Sequence, residues 1–580
     1  MANRSGGVTW RLWAVIAAMG VGTLIMTGRL AQLQIVDHPQ YAEEARLSHN
    51  VEQTVTDRRG ALLDRNGYPL AASEDTFDVM VERDAWKARA PGDEAVSKLT
   101  GVIGVPAQQL LDQLNSTDIF EVDAARNLSF EKAEAVRKAG LDGVRLVSSS
   151  HRVYPEGNMA AQVLGFVGRD SSGLTGLEAD LDSVLAGTKG SLTAERDGLG
   201  RDLAFGRREE VAPQPGADVV LTIDRYIQRL AEQELDRTVK ENKASGGTIV
   251  VVQPKTGEIL AMASRPTFDV TALDLSDDSK LALYRDRAIT DMYEPGSVFK
   301  LVTTAAALDL GLVSPDTWWY DSGVFKASEW SIHNWDFSAN GPQTVQQMLS
   351  KSLNTGAAWV AQQLGPDRFY DYVSRFGFGR PSGIGLSGDA PGRVRTPQDD
   401  GNWRDIDMAT NSFGQGISVT PLQMAMAVAT IANNGLAMKP QIVKETVSPA
   451  GRQSNAPQPL QQVISPASAQ TLRNMMGVVV DGINKHYLDV QGYKIGGKTG
   501  TANLATADAG YKDQAYISSF VGIAPLDDPA IAVLVKIDEP QGVPWGTVVA
   551  APAFSRLVQQ TLTYLNIPPT EEALVSKLGQ

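Results

Sequence analysis

The 580-residue chain contains no cysteine, which excludes disulfides, cysteine nucleophiles and zinc-thiolate sites. Histidine is almost as scarce. His38, His49, His151, His333 and His486 stand singly, with no H-E-x-x-H and no paired ligand spacing, so no metal site is expected. Surface or packing roles suit them, and only His333, beside Trp330 and Trp335, is a candidate for the rim of a cleft. A G-x-S-x-G elbow, a P-loop and a plausible dinucleotide fingerprint are all missing, which disfavours an ordinary Ser-His-Asp hydrolase and nucleotide chemistry, and no cofactor is implied. Positive charge is in deficit: 53 Lys and Arg against 67 Asp and Glu give a net charge of −14, which argues against a nucleic-acid partner. No internal repeat or long low-complexity tract occurs. With 43% hydrophobic and 21% charged residues, the chain is globular and long enough for two or three domains.

Long uncharged runs are also rare, and one stands out. Leu12 to Gly28 has no charge over 17 residues, a helical length of ~26 Å, just short of a ~30 Å hydrocarbon layer. Trp10, Trp13, Arg11 and Arg29 at its ends suit the membrane interfaces. The alternative, a cleaved signal peptide, lacks a small-residue cleavage site, because Thr27-Gly28-Arg29 runs straight into more amphipathic chain. The expectation is a single-pass protein: residues 1–11 cytoplasmic, 12–28 in the membrane, the remainder outside the cytoplasm.

From Leu30 to about Asn50 the pattern is helical and polar, a stalk. Arg59 to Gly67 predicts two short strands around an Asn-Gly turn, and Glu94–Leu114 and Ser129–Ala139 have helical spacing. Turns punctuate His151–Gly168 and Gly173–Glu178. This part, 29–215, reads as a structural module ending near Pro213-Gln214-Pro215-Gly216. Beyond it the spacing predicts a strand at Asp218–Ile223, a helix at Arg225–Lys243, and a hairpin of Gly247–Gln253 with Glu258–Ser264. A helical, loop-rich middle follows from Leu281 to about Asn434. Strands return at Tyr493–Ala502, Tyr516–Ala524 and Ile531–Ile537. Strands at both ends with helices between predict one sheet closed by the two ends of a domain over 216–567, an α/β (α+β) architecture, with a short tail at 568–580.

The chemistry centres on one serine. Pro295 and Gly296 open a helix that Leu301–Leu310 continues as an apolar run closed by Gly311. Lys300 lies one turn from Ser297 on the same face, in surroundings poor in water. Desolvation lowers a lysine pKa and makes the amine a proton acceptor for an alcohol. Two further elements follow: S-x-N at Ser352-Leu353-Asn354, and K-T-G at Lys498-Thr499-Gly500. Each is weak alone, since the chain repeats all three. Context separates the copies. Ser129-Phe130-Glu131-Lys132 reads as the N-cap of a polar surface helix, Lys255-Thr256-Gly257 as a hairpin tip, and Ser338-Ala339-Asn340 as an irregular loop. Gly496, Gly497 and Gly500 strip side chains from the strand around Lys498, as close approach of a substrate backbone requires.

In that order and at those separations, about 55 and about 145 residues, the three elements resemble those of the penicillin-recognising serine acyltransferases. The chain resembles the class B penicillin-binding proteins in particular. Arg59-Gly60 with Asp64-Arg65-Asn66-Gly67, Arg152-Val153-Tyr154-Pro155, Gly173–Glu178, Arg287–Lys300, Ser412-Phe413-Gly414-Gln415-Gly416 and Ala550-Ala551-Pro552-Ala553-Phe554 match that family's landmarks in order, so the likeness runs from the anchor to about Leu565. The resemblance implies an elongated pedestal of the dimerisation type beneath a transpeptidase domain, cross-linking peptidoglycan stem peptides through a serine acyl-enzyme that β-lactam antibiotics trap. It makes Ser297 the nucleophile, Lys300 its base, Ser352 a proton relay between Lys300 and Lys498, and Asn354 a holder of Lys300 or of the substrate amide. Lys498 with Thr499 and Thr501, beside Gly500, would meet the terminal carboxylate, and the N–H groups of Ser297 and Thr501 would form the oxyanion hole. Ser519–Pro525 followed by Asp527-Asp528-Pro529 looks more like the division branch than the elongation branch. For that branch the family implies the inner membrane as location and, as partners, a polytopic glycan polymerase and other division proteins.

A β-lactamase is disfavoured. Leu353 stands where class A enzymes carry Asp, and the only glutamate between Asn354 and Lys498 is Glu445, in a β-like stretch expected to be exposed. The rival from another class is a β-lactam sensor or a non-catalytic wall-binding scaffold.

Overall fold

The computed structural model describes residues 6–41, 50–55, 57–195, 208–399, 401, 403–505 and 511–570. The stalk residues 42–49 and the tail beyond 570 lie outside them. The chain packs as two units, residues 1–58 with 187–215 and residues 59–186 with 216–580.

The smaller unit contains a helix, Gly6–Ala31, that runs on into a π-turn at Gln32–Val36. The helical stretch Trp10–Val36, whose most apolar 18-residue window has a mean hydropathy of 1.6 and is not buried against protein, is long and apolar enough to cross a membrane. The helix extends beyond the expected span 12–28 at both ends. Arg29 does not end it, because its guanidinium reaches forward to Gln32 Oε1 at 2.9 Å, while the Thr23 and Thr27 hydroxyls bond carbonyls one turn back at 2.8 Å. Internal satisfaction of polar groups is what a lipid environment requires. The unit also holds an antiparallel sheet of Asn50–Val55, Gly190–Glu195 and Arg208–Val211, with the middle segment central.

In the larger unit a seven-stranded sheet is organised on the 14-residue strand Pro69–Glu82, much longer than the short strand the sequence suggested. It pairs with Leu62–Leu63, Glu121–Leu128 and Val144–Val153. Val79, Val81, Trp86, Leu99 and Leu110 form the core beneath it. The expected helix 94–114 is two, Glu94–Ile103 and Ala107–Asn115, because Gly104 turns left-handed (φ 77°) and Pro106 follows. Asp218–Leu221 joins this same sheet, parallel to Leu62–Leu63, so the boundary near 215 does not separate the sheets. Three buried charges fasten this region: Glu178 accepts from Arg59 Nε at 2.7 Å and from Arg152 Nε at 2.7 Å, and Arg59 also reaches Asp182 at 2.6 Å. The landmarks at 59–60, 152 and 173–178 are thus one structural knot.

A second sheet carries the chemistry. Its order is Glu258–Arg265, Gly246–Gln253, Ile531–Asp538, Tyr511–Ala524, Gly496–Ala505, antiparallel throughout and built from both ends of the segment as the pattern predicted. The unbroken apolar runs of its middle strands divide by parity. Val250, Val252, Ala532 and Leu534 enter one core, whereas Ile249, Val251, Val533 and Val535 enter the other. Each Val, Leu or Ile so buried contributes ~1.5–3 kcal/mol relative to exposure. Helices Arg225–Glu241 and Ala551–Tyr564 cover one face. On the other lies Pro421–Ala432, buried along its whole length, while the serine helix Lys300–Asp309 packs on the helices Asn354–Leu364 and Pro466–Asp481.

Candidate active site

The serine sits on a tight 3-10 turn, Gly296–Phe299, that leads directly into the serine helix. The turn is clamped from two sides. On one, Gly296 N donates to Gly414 O at 2.9 Å, Tyr293 and Val419 exchange two backbone bonds of 2.9 Å, and Gly416 N donates to Glu294 Oε1 at 2.9 Å. A Cβ on Gly414 would fall 2.2 Å from Gly296 O, so only glycine lets the two segments meet. On the other side the strand Gly496–Ala505 lies against it, and a Cβ on Gly500 would fall 3.0 Å from Val298 Cγ1 and 2.4 Å from Ser519 Oγ. Gly496 and Gly497 do something different from the expected substrate approach. Their missing Cβ atoms leave room for Leu526 and for the Phe520 ring, so these two glycines serve packing.

The Lys300 amine is buried and lies 3.0 Å from Ser297 Oγ, 2.6 Å from Ser352 O, 3.2 Å from Ser352 Oγ and 2.8 Å from Asn354 Oδ1. The Phe413 ring faces it, 6.0 Å away. Burial, and then the neighbouring Lys498 charge, hold its pKa well below the ordinary lysine value. Lys498 is buried as well, with Nζ 3.0 Å from Ser352 Oγ and 3.2 Å from Thr499 O, and burial lowers its pKa to about 7. Ser352 therefore lies between the two amines. It caps the helix Val345–Lys351 in a left-handed conformation (φ 57°, ψ 42°), which costs a non-glycine residue ~1–2 kcal/mol. That geometry turns both its carbonyl and its hydroxyl to Lys300. Ser297, Thr499 and Thr501 are only half-buried, so their side chains border an open cleft above the two amines.

All the residues singled out from the sequence, Ser297, Lys300, Ser352, Asn354, Lys498, Thr499, Gly500 and Thr501, come from three separated segments and meet here. The competing copies do not. Ser129 caps the helix Phe130–Ala139, Lys255 pairs with Asp528 at 2.7 Å on an exposed turn, and Ser338 bonds Asp336 at 2.7 Å in a loop. Of His333 only the backbone carbonyl reaches the site, accepting from Asn354 Nδ2 at 3.2 Å. Glu445 is half-buried rather than exposed, and its carboxylate accepts from Arg452 Nη1 at 2.7 Å in the pedestal-side sheet. Sequence reasoning did not find Asp321. This buried carboxylate accepts from Thr355, Asn334 and Asn340 and so fixes the segment next to Asn354; a lone Asp between aromatic strands gives no motif to read.

Comparison with known proteins gives the class. Residues 247–559 match the penicillin-binding protein transpeptidase domain, and residues 54–221 match the penicillin-binding protein dimerisation domain. The chain belongs to the penicillin-binding protein transpeptidases, and the resemblance to their class B members holds over almost its full length. It is 33% identical over 563 residues to stage V sporulation protein D of Bacillus subtilis, covering 96% of this chain and 85% of that one. It is 31% identical over 583 residues to the peptidoglycan D,D-transpeptidase FtsI of Escherichia coli, covering 97% and 93%. Among solved structures, penicillin-binding protein 2X of Streptococcus thermophilus superposes with a TM-score of 0.76 at 25% identity, covering 88% of this chain and 80% of that one. Penicillin-binding protein 3 of Mycobacterium tuberculosis, in complex with aztreonam, gives 0.68 at 29%, covering 89% and 98%.

Proposed function

We propose that this chain cross-links peptidoglycan by D,D-transpeptidation through an acyl-enzyme on Ser297. The single observation carrying the reading is the position of the Lys300 amine among Ser297, Ser352 and Asn354. A neutral amine has two N–H donors and one lone pair. The carbonyl oxygens of Ser352 and Asn354, at 2.6 and 2.8 Å, can only accept, so they take both donors and leave the lone pair for a hydroxyl. Ser297, at 3.0 Å, supplies that proton as its oxygen attacks the carbonyl of the penultimate D-alanine. The tetrahedral oxyanion is held by the N–H groups of Ser297 and Thr501, each such donor being worth ~3 kcal/mol. As the C–N bond breaks, the proton passes from Lys300 through Ser352 to the departing D-alanine nitrogen. An amine from a second stem peptide then attacks the ester, loses its proton to Lys300, and Ser297 regains its hydroxyl. Protonated Lys498, with Thr499 and Thr501 beside Gly500, meets the substrate's terminal carboxylate or that of a β-lactam.

The same reading takes residues 12–28, within the longer helix, as the span of a single-pass anchor in the inner membrane. Residues 29–215 act as pedestal and 216–567 as an extracytoplasmic catalytic domain. The near full-length likeness to a relative named FtsI favours septal wall synthesis, with a polytopic membrane glycan polymerase and other division proteins as partners. The test is a cross-linking assay with defined donor and acceptor peptides, run beside fluorescent-penicillin labelling. Cross-linked product and a covalent adduct are expected. An adduct without product would make the chain a sensor, and no adduct would make it a scaffold.

A further inference from the structure

Immediately beside the catalytic asparagine the protein displays large aromatic side chains that its own fold leaves uncovered. Trp335 is 58% exposed, Phe337 77% and Trp545 44%. They line one edge, organised by two separate ring contacts. The Trp335 and Trp545 rings meet edge to face with centroids 5.3 Å apart, and the Phe337 ring lies 5.5 Å from His333, whose carbonyl accepts from Asn354 Nδ2 at 3.2 Å. At the far end Gly546 N, next to Trp545, donates to Thr501 Oγ1 at 3.2 Å. The edge thus bridges the cleft from the S-x-N segment to the K-T-G strand.

The loop is held rather than loose. Asp321, fully buried, accepts from Asn334 Nδ2 at 2.9 Å and Asn340 Nδ2 at 2.8 Å, and Thr355 beside Asn354 donates to it at 2.9 Å. Phe337 itself is in a left-handed conformation (φ 58°), which a bulky residue adopts only when its surroundings impose it. A strained backbone that holds a phenyl ring in water gains nothing for folding, and exposed aromatic rings gathered beside a cleft mark a binding surface.

We infer that this edge binds the glycan backbone of peptidoglycan, stacking the apolar faces of its amino-sugar rings on Trp335, Phe337 and Trp545. The inference rests on the transpeptidase reading. The stem peptide enters between Ser352 and the K-T-G strand, and every stem hangs from a sugar, so the strand that carries it passes one rim of the cleft. The chemistry of the edge matches a neutral saccharide. Residues 327–345 include no lysine or arginine, only Glu329 and Asp336, whereas a membrane-binding aromatic patch interleaves basic residues. The Asp336 carboxylate is already engaged by Ser338 N and Oγ. Indoles combine a broad apolar face with a polar N–H, which suits a ring bearing both C–H faces and hydroxyls.

The test compares the full-length protein with Trp335→Ala/Phe337→Ala, using D-alanine release from a free pentapeptide and from a glycan strand bearing the same peptide. The double variant is expected to lower kcat/KM on the glycan-linked substrate by about tenfold relative to the free peptide, equivalent to ~1.4 kcal/mol. The loss falls mainly on KM, and Trp335→Phe restores most of it. Equal losses on both substrates, or none on the glycan-linked one, overturn the inference. Should the variant misfold, saturation-transfer NMR of Ser297→Ala protein with a peptide-stripped glycan oligosaccharide decides: ring-proton transfer supports the site, and its absence overturns it. Penicillin labelling of the unmodified protein runs alongside, and its failure would sink the transpeptidase reading instead.

Discussion

A buried amine is a poor cation, and this site has two. The Lys498 pKa, about 7 in the folded protein against 10.5 unperturbed, is lowered by burial. Because the folded value is the lower one, the unfolded chain holds the extra proton between about 7 and 10.5, and this group makes stability rise with pH across that window. Lys498→Met is accordingly expected to abolish acylation while stabilising the protein at pH 7 by ~1–3 kcal/mol, measured by thermal melting. Catalysis has the opposite sign. The proposed mechanism needs Lys300 neutral and Lys498 charged, so kcat/KM for a carboxylate-bearing substrate is expected to climb as Lys300 deprotonates and fall as Lys498 loses its proton, with the alkaline limb near pH 7. Lys498→Arg, permanently charged, should flatten that limb on whatever activity remains; an unchanged profile would assign the limb to another group. The sequence made the identity of these residues legible, because context separated Ser297 from Ser129 and Lys498 from Lys255. It left the pKa values and the left-handed Ser352 hidden, since both depend on segments 52 and more residues apart closing on one amine.

At the scale of elements, Ser297, the proposed nucleophile, is placed by a turn squeezed between a glycine-rich loop and a strand edge. Gly414→Ala would put a methyl group 2.2 Å from Gly296 O at φ 81°, forcing the Ser297 turn to move. Misplacement by ~1 Å costs about 10²-fold, so the second-order rate of penicillin acylation should fall by that order with the melting temperature changed far less. A rate within twofold of the parent would show that the turn is not held by this loop. The strands of the catalytic sheet were readable because their apolar runs are long and bounded by turns. Helix 94–114 was misread as continuous because its apolar spacing survives the Gly104 break, and the glycines at 496 and 497 were misread because a missing side chain does not say whether substrate or Phe520 fills the space.

For the whole molecule, residues 59–186 belong with the catalytic body in packing, and the buried triad of Arg59, Arg152 and Glu178 fastens them. Glu178→Ala leaves two guanidiniums buried beside no carboxylate at that position and should cost ~3–5 kcal/mol, seen as a lower melting temperature with penicillin labelling retained in the cold. A loss under ~1 kcal/mol would mean that the triad is not what holds these segments. The landmark motifs announced this region in the sequence, yet their pairing required coordinates, because Arg59 and Glu178 are 119 residues apart. The central claim is that one hydroxyl out of many in this chain forms the acyl-enzyme, and mass spectrometry of the tryptic digest after β-lactam labelling tests it most directly. The account predicts the adduct on the peptide Ala288–Lys300, whose only serine is Ser297, lost in Ser297→Ala and kept in Ser129→Ala. An adduct on any other peptide, or one that survives Ser297→Ala, would contradict it.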